Sequence, residues 1–431
     1  MKKKPIRVGT LFSGIGAFEQ ALKQLDIPHE IKFACDNGER ELKLPFSKIH
    51  KLCTNLKEVD IPRFARYLAL GNKEKKNSDL QYIVLANLFR RKIYYRKSLV
   101  LPKDCIDMLT FGMDIQTKEK YVERLYELTG KHNYVKDSYM ANYELSEDNW
   151  HEDIRFLDAK KYANQVDILV GGSPCQSFST YGKKLGLNDT RGTLFYDYAR
   201  IILETQPKVF IYENVRNLRT RDEGKTWDVM KQVWESLDYV LYDKILNAKK
   251  YGTPQNRQRL FLVGIRKDVI GNTEYLFPKE QNLRISALDL LEEMGTVDEK
   301  YYLGKKGFEW VTNPEKNKNK TRVVKEIVGC QTANQQDNWI GDLVVEEVQP
   351  RFENHPKVHV GVYKGKRSVA RKMTPDECLR LMGFGPFKHV VRDKELYRQS
   401  GNSIVVSVMR ALFESVLPFL NKEFLPVEPN P

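Results

Sequence analysis

Three short, unbroken apolar runs constrain this chain most: VDILVGG (166–172), KVFIYEN (208–214) and RLFLVGI (259–265). Runs without polar alternation need cover on both faces, which points to strands of a largely parallel sheet between helical layers. Helical stretches, LFYDYARIILET (194–205) and WDVMKQVWESL (227–237), separate them. Near the start, RVGTLF (7–12) reads as another buried strand. The following helix places Phe18, Ala21, Leu22 and Leu25 on one face. A further strand, EIKFAC, ends at Asp36. Alternation of this kind predicts a doubly wound α/β layer, Rossmann-like with helices on both faces, patterned most strongly over 5–36 and 150–268.

Two regions break the rhythm. Residues 45–148 are charge-dense and tyrosine-rich, with helical patches such as KEKYVERLYELTG (118–130). Residues 270–370 lack the alternation and carry NPEKNKNKTR, QTANQQDNW and VYKGKRSVARK, which suits an irregular, β-containing basic module. A length of 431 residues fits two domains, or one large α/β domain with insertions. An excess of 71 Lys and Arg over 57 Asp and Glu suggests a polyanionic partner, although composition alone does not separate this from a simply basic protein.

The six cysteines (35, 53, 105, 175, 330 and 378) form no Cys-x-x-Cys pair, and the seven histidines no His-x-x-x-His pair. No disulfide framework and no metal site is therefore expected, and reduced thiols in a cytoplasm fit best. The basic, then apolar start has the outline of a signal peptide. Gly9, Ser13, Gly14 and Gly16 break its apolar stretch, and no small-residue cleavage site precedes Glu19. With no continuous apolar run of about 18 residues, an intracellular soluble protein is expected.

Chemistry concentrates at predicted strand ends. Gly14-Ile15-Gly16 occupies a strand-to-helix turn, where missing side chains let a ligand approach the backbone. Asp36 ends the next strand, where a carboxylate can accept hydrogen bonds from ribose hydroxyls. Glu19 stands where a dinucleotide fingerprint has its third glycine, which favours a nucleoside cofactor without a pyrophosphate. The plainer reading of these glycines is a turn that permits tight packing. Cys175, between Pro174 and Gln176 at the end of VDILV, reads as an exposed nucleophile rather than a buried core thiol. The polar, glycine-rich stretch 179–193 after it suits a closing loop. Glu213 ends KVFIY on the same sheet edge, as a catalytic carboxylate or as a helix cap.

Taken in order, these motifs resemble the C5-cytosine-specific DNA methyltransferases. LFSGIGAF resembles that family's cofactor motif and PCQSFS its nucleophile motif. RGTLFYDYARII, YENV, GTPQNRQRLFLVGI, TPDECLRLMGF and RQSGNSIVVSV resemble later ones, and the matches cover about half the chain. The resemblance implies a methyl group transferred from S-adenosylmethionine to cytosine C5. Cys175 would add to C6, Glu213 would hold N3 and the exocyclic amine, Arg259 would contact O2, and Arg257 would support the Cys175 thiolate. It further implies that Phe12, Gly14, Gly16, Asp36, Asp153, Ile154, Leu194, Asn402 and Ser403 surround the cofactor. Asn37 and Gly38 follow the ribose acid where many relatives have an aromatic residue.

The domain expectation is a catalytic domain over 1–268 with an insertion at about 45–148, a target-recognition domain over 269–370, and a return to the catalytic domain over 371–431. The insertion reads equally as a surface elaboration or as a second DNA- or partner-binding element. A monomer acting on double-stranded DNA in the bacterial cytoplasm, at the nucleoid, away from any membrane and paired in function with a restriction endonuclease, is expected. A tRNA cytosine-C5 methyltransferase is the alternative, disfavoured because no Cys-Phe-Thr tripeptide occurs. A DNA-binding regulator with a dead site is disfavoured by the intact Cys175, Glu213 and Arg259, and a nicotinamide oxidoreductase by Glu19.

Overall fold

The computed structural model describes residues 4–45, 98–100, 106, 110, 112–173, 194–318 and 320–420. Its strands are β1 (Ile6–Leu11), β2 (His29–Cys35), β3 (Lys43–Pro45), β4 (Ser98–Val100), β5 (Trp150–His151), β6 (Ile168–Gly171), β7 (Val209–Val215), β8 (Tyr239–Asn247), β9 (Gln258–Arg266), β10 (Thr321–Val323), β11 (Gly341–Glu347), β12 (Gly361–Tyr363) and β13 (Lys366–Arg371). Its principal helices are α1 (Ala17–Gln24), α2 (Ile115–Leu128), α3 (Tyr134–Asn142), α4 (Leu194–Thr205), α5 (Lys225–Glu235), α6 (Lys305–Thr312), α7 (Pro375–Arg380), α8 (Asp393–Asn402) and α9 (Val406–Leu420).

The central sheet has the order β5-β2-β1-β6-β7-β9-β8. Its first five strands run parallel, and β9 lies antiparallel between β7 and β8. The apolar runs explain why it forms. Side chains alternate across each strand, and both faces are covered. Val8, Ile168, Val170, Ile211 and Val263 pack on one side against α1 and α9, where Phe18 and Phe413 meet edge to face at 5.3 Å. Leu11, Leu169, Phe210, Tyr212 and Leu262 face Phe195, Tyr198 and Ile202 of α4 and Trp234 of α5 on the other. Helices therefore cover both faces, as the sequence implies. Strand order reverses between β1 and β6, so their carboxyl ends open the crevice where such sheets place ligands.

The described part of the insertion packs at the β5 edge. Asp114 caps α2 by accepting from the Thr117 N–H. Val122, Leu125 and Tyr126 of α2 bury against Leu42, Leu44 and Phe156. Tyr139 of α3 packs at 5.3 Å from Trp150 of β5. Farther along, β10-β11-β13-β12 form a separate four-stranded sheet with its own small apolar clusters. There the Arg371 guanidinium is fully enclosed but paired with Glu346 at 3.0 Å and Glu377 at 2.8 Å. Among the described residues no single helix is long and apolar enough to cross a membrane.

Candidate active site

The end of β1 shows why a ligand is expected there. Phe12 takes the left-handed φ of 53°, unusual for a residue with a side chain, and Gly14 (φ 54°) and Gly16 (φ 74°) continue the sharp turn into α1. The two glycines differ in purpose. Among the described residues a methyl group at Gly14 would meet nothing within 4 Å, whereas one at Gly16 would lie 2.2 Å from the Tyr143 ring. Gly16 thus admits Tyr143, whose hydroxyl reaches the Gly16 carbonyl at 2.8 Å, and Gly14 leaves open space.

Asp36 sits directly across this turn. Its two carboxylate oxygens accept the N–H groups of Gly14 (2.9 Å) and Gly38 (2.7 Å). Burial outweighs those bonds and pushes its carboxyl up to about 6. Each oxygen keeps acceptor capacity for a further donor. Phe12 and Leu194 pack against the apolar cluster that contains Ile154, so three of the implied cofactor residues share one face of the sheet. Open space at Gly14, an acceptor pair at Asp36 and that apolar face fit the adenosyl group of S-adenosylmethionine.

Asp153 and Asn402 are more committed. The Asp153 carboxylate accepts from Tyr126 (2.9 Å) and is gripped by Arg155. Asn402, exposed at the end of α8, donates to Glu39. Ser403 is buried, and its carbonyl serves Arg257.

Glu213 lies near the end of β7, beside the end of β6. Its Oε1 pairs with Arg259 Nε at 3.1 Å, across the β7–β9 ladder that sets Val215 opposite Arg259. Burial pushes the Glu213 carboxyl above its ordinary range, against the pull of Arg259 and Arg257. Gly172 makes this approach possible: a methyl group there would stand 2.3 Å from the Glu213 carbonyl oxygen and 3.1 Å from Glu213 Oε2. Pro174 and Cys175, two and three residues farther along, lie outside the described residues, as does the closing-loop stretch up to 193.

The chain leading to Cys175 is nevertheless firmly held. Ser173 is buried, with its hydroxyl 2.6 Å from that of Tyr212 and its carbonyl accepting from Asn214 at 2.8 Å. Sequence reasoning read YENV for its glutamate and passed over the tyrosine and asparagine beside it. Arg257 has a structural task besides the one expected of it. Its buried guanidinium donates to the carbonyls of Gln331 (2.7 Å), Gly401 (3.2 Å) and Ser403 (2.7 Å), so it ties the 330–331 loop to the end of α8. Cys330 was missed altogether: its sulfur lies 3.4 Å from Arg257 Nη1 and 3.7 Å from Arg259 Nη2.

A glycine turn and a facing acid at a sheet's switch point, beside a buried carboxylate–guanidinium pair, define an α/β enzyme that holds a nucleoside-bearing cofactor next to a polar reaction site. Residues 114–417 match the C-5 cytosine-specific DNA methylase family, and the chain belongs to it. It is a DNA (cytosine-5-)-methyltransferase with S-adenosylmethionine as methyl donor. Over 419 residues it is 30% identical to the Type II methyltransferase M2.ScrFI of Lactococcus lactis subsp. cremoris, covering 95% of this chain and 99% of that one. The Type II methyltransferase M1.ScrFI of the same organism is 35% identical over 287 residues, 66% of this chain and 70% of that one. The fold is similar to that of the S. pombe Dnmt2 methyltransferase, with a TM-score of 0.53 at 18% identity over 96% of this chain and 98% of that one.

Proposed function

We propose that the chain methylates C5 of a cytosine within a specific double-stranded DNA sequence, through a covalent Cys175–C6 adduct on a base flipped out of the duplex. The observation that carries this reading is the Glu213–Arg259 pair, held at 3.1 Å beside the strand end that leads to Cys175. Cytosine C5 is too weakly nucleophilic to take a methyl group unaided. Addition of the Cys175 thiolate to C6 pushes electron density to C5, and Glu213 relieves the charge that gathers at N3. A carboxyl raised by burial is suited to share a proton with N3. Arg259 holds Glu213 and faces the base at O2. S-adenosylmethionine, which Phe12, Gly14, Asp36 and Leu194 would hold, would supply the electrophilic methyl group and leave as S-adenosylhomocysteine. Loss of the C5 proton to a water molecule then breaks the C6–S bond, releasing the Cys175 thiolate and restoring the aromatic ring.

The base must leave the stack to reach a pocket at the sheet edge. Catalysis is assigned to residues 1–268, with the insertion at 45–148, and target recognition to 269–370, which contains the separate four-stranded sheet. Arg257 joins the two through Gln331. Residues 371–431 complete the catalytic face through α8 and α9. The reading extends to protection of cellular DNA against a cognate endonuclease, which the type II names of the relatives support, by a monomer acting at the nucleoid.

The test is trapping on a duplex pool containing 5-fluorocytosine in the presence of S-adenosylmethionine. With fluorine at C5 no proton can leave, so the adduct should survive denaturation and map to Cys175. Absence of an adduct with cofactor binding intact would refute the covalent route. An adduct on tRNA alone would move the substrate to RNA; the Cys330-Gln331-Thr332 segment beside the arginines makes that arm worth running.

A further inference from the structure

We infer that Glu119, Glu123 and His151 form a binding site for a first-row divalent metal ion, of the zinc class, that clamps the insertion to the edge of the central sheet. Glu119 and Glu123 stand one turn apart on one face of α2, and His151 ends β5. Ligand atoms from all three lie within 4.8 Å of one another.

The decisive observation is at His151, whose side chain is 2% exposed. Its Nδ1 lies 2.5 Å from Glu119 Oε1, yet among the described residues both buried atoms have no hydrogen-bond partner. The close pair is misdirected: a proton on Nδ1 would not point at the oxygen. The other ring nitrogen is accounted for. Nε2 is 2.9 Å from the Tyr162 hydroxyl, which donates its own proton to Asn149 Oδ1 at 3.1 Å. Tyr162 must then accept from Nε2–H, an arrangement that leaves the Nδ1 lone pair facing the carboxylates. An outer partner that fixes the tautomer in this way is the usual companion of a metal-bound histidine.

Charge points the same way. Among the described residues no lysine or arginine forms an ion pair with Glu119 or Glu123, and nearby Glu152 is taken by Arg40. A largely enclosed Glu119 and a half-buried Glu123 thus face His151 with no cation in contact, Lys136 and Lys161 acting on Glu123 only from farther off, and one divalent ion would supply the missing charge. Ligand bonds of about 2.0–2.2 Å separate donor atoms by about 3.3 Å around a tetrahedral ion, within reach of small side-chain rotations here. One imidazole with two carboxylates suits zinc better than calcium or magnesium, which prefer all-oxygen shells. Cysteine and histidine spacing could not reveal such a site, because the histidine lies 32 and 28 residues from carboxylates on another element.

The experiment uses the tag-free full chain, stripped with a chelator, then titrated with Zn2+ by calorimetry and with Co2+ by visible absorption. One equivalent should bind, and the cobalt spectrum should lack the thiolate charge-transfer band that a cysteine site gives. E119Q and E123Q should each weaken Zn2+ by about 100-fold or more, and Y162F by about 10- to 100-fold through the outer shell. Glu123 is half-buried and Y162F keeps the ring, so these two carry the test if E119Q misfolds. No binding by the wild-type chain, wild-type affinity in the variants, or a thiolate band would overturn the site.

Discussion

Gly172→Ala isolates the spacing between β6 and β7 that sets Glu213 in place. The added methyl would sit 2.3 Å from the Glu213 carbonyl oxygen and 3.1 Å from Oε2. An ordinary carbon–oxygen contact is about 3.3 Å or more, so the backbone must give by roughly 1 Å. The obstacle is the main chain of Glu213, paired with Phe261 in the antiparallel β7–β9 ladder, which cannot swing aside as a long side chain can. The carboxylate must move with it, away from Arg259. A misplacement of about 1 Å at a reacting group costs roughly 100-fold in rate. Overpacking should lower stability by about 1–3 kcal/mol. Tritiated-methyl incorporation into unmethylated DNA reads the first effect and thermal melting the second. S-adenosylmethionine affinity should stay near wild type, since Gly14 and Asp36 lie across the crevice. A turnover number within about threefold of wild type in a folded variant would refute the argument that this spacing positions Glu213.

Three further outcomes test the site. Glu213→Gln keeps shape but loses the charge shared with N3 and Arg259, so turnover should fall by about 100-fold or more with cofactor affinity retained; a drop of only a few-fold would remove Glu213 from the chemistry. For Asp36, a folded carboxyl at about 6 against the ordinary 3.8 means that the folded chain holds a proton the unfolded chain has released. Its contribution is full below the lower value and lost as pH rises through the upper one, at most about 3 kcal/mol, and Asp36→Asn should flatten that part of a stability-against-pH curve. Arg257→Leu leaves three carbonyls without their donor and should cost about 3 kcal/mol or more in chemical denaturation. Lost activity at unchanged stability would instead show Arg257 acting on the Cys175 thiolate.

Much of the sheet is legible in the sequence because its information is local. VDILV, KVFIY and RLFLVGI are buried on both faces, and a run of four to seven apolar residues records that directly. Gly14, Asp36 and Glu213 are legible for a related reason, since a strand end is the one place where a side chain leaves the sheet for the crevice. Direction was harder. β9 runs antiparallel to β7, and an apolar run reads the same in either sense.

What the tertiary structure alone decided is partnership. Arg257 and Arg259 look equivalent two residues apart. One meets carbonyls 74, 144 and 146 residues away, and the other a carboxylate 46 residues back. Gly16 and Gly172 look like ordinary turn glycines until Tyr143 and the Glu213 backbone occupy the space beside them. His151 is a lone histidine in sequence and meets two carboxylates only because α2 folds against β5. By itself the sequence determined which segments must be buried and which residues stand at their ends, because burial leaves its mark on every residue of a segment. Which side chains then face one another depends on the packing of distant segments, and no local pattern encodes that.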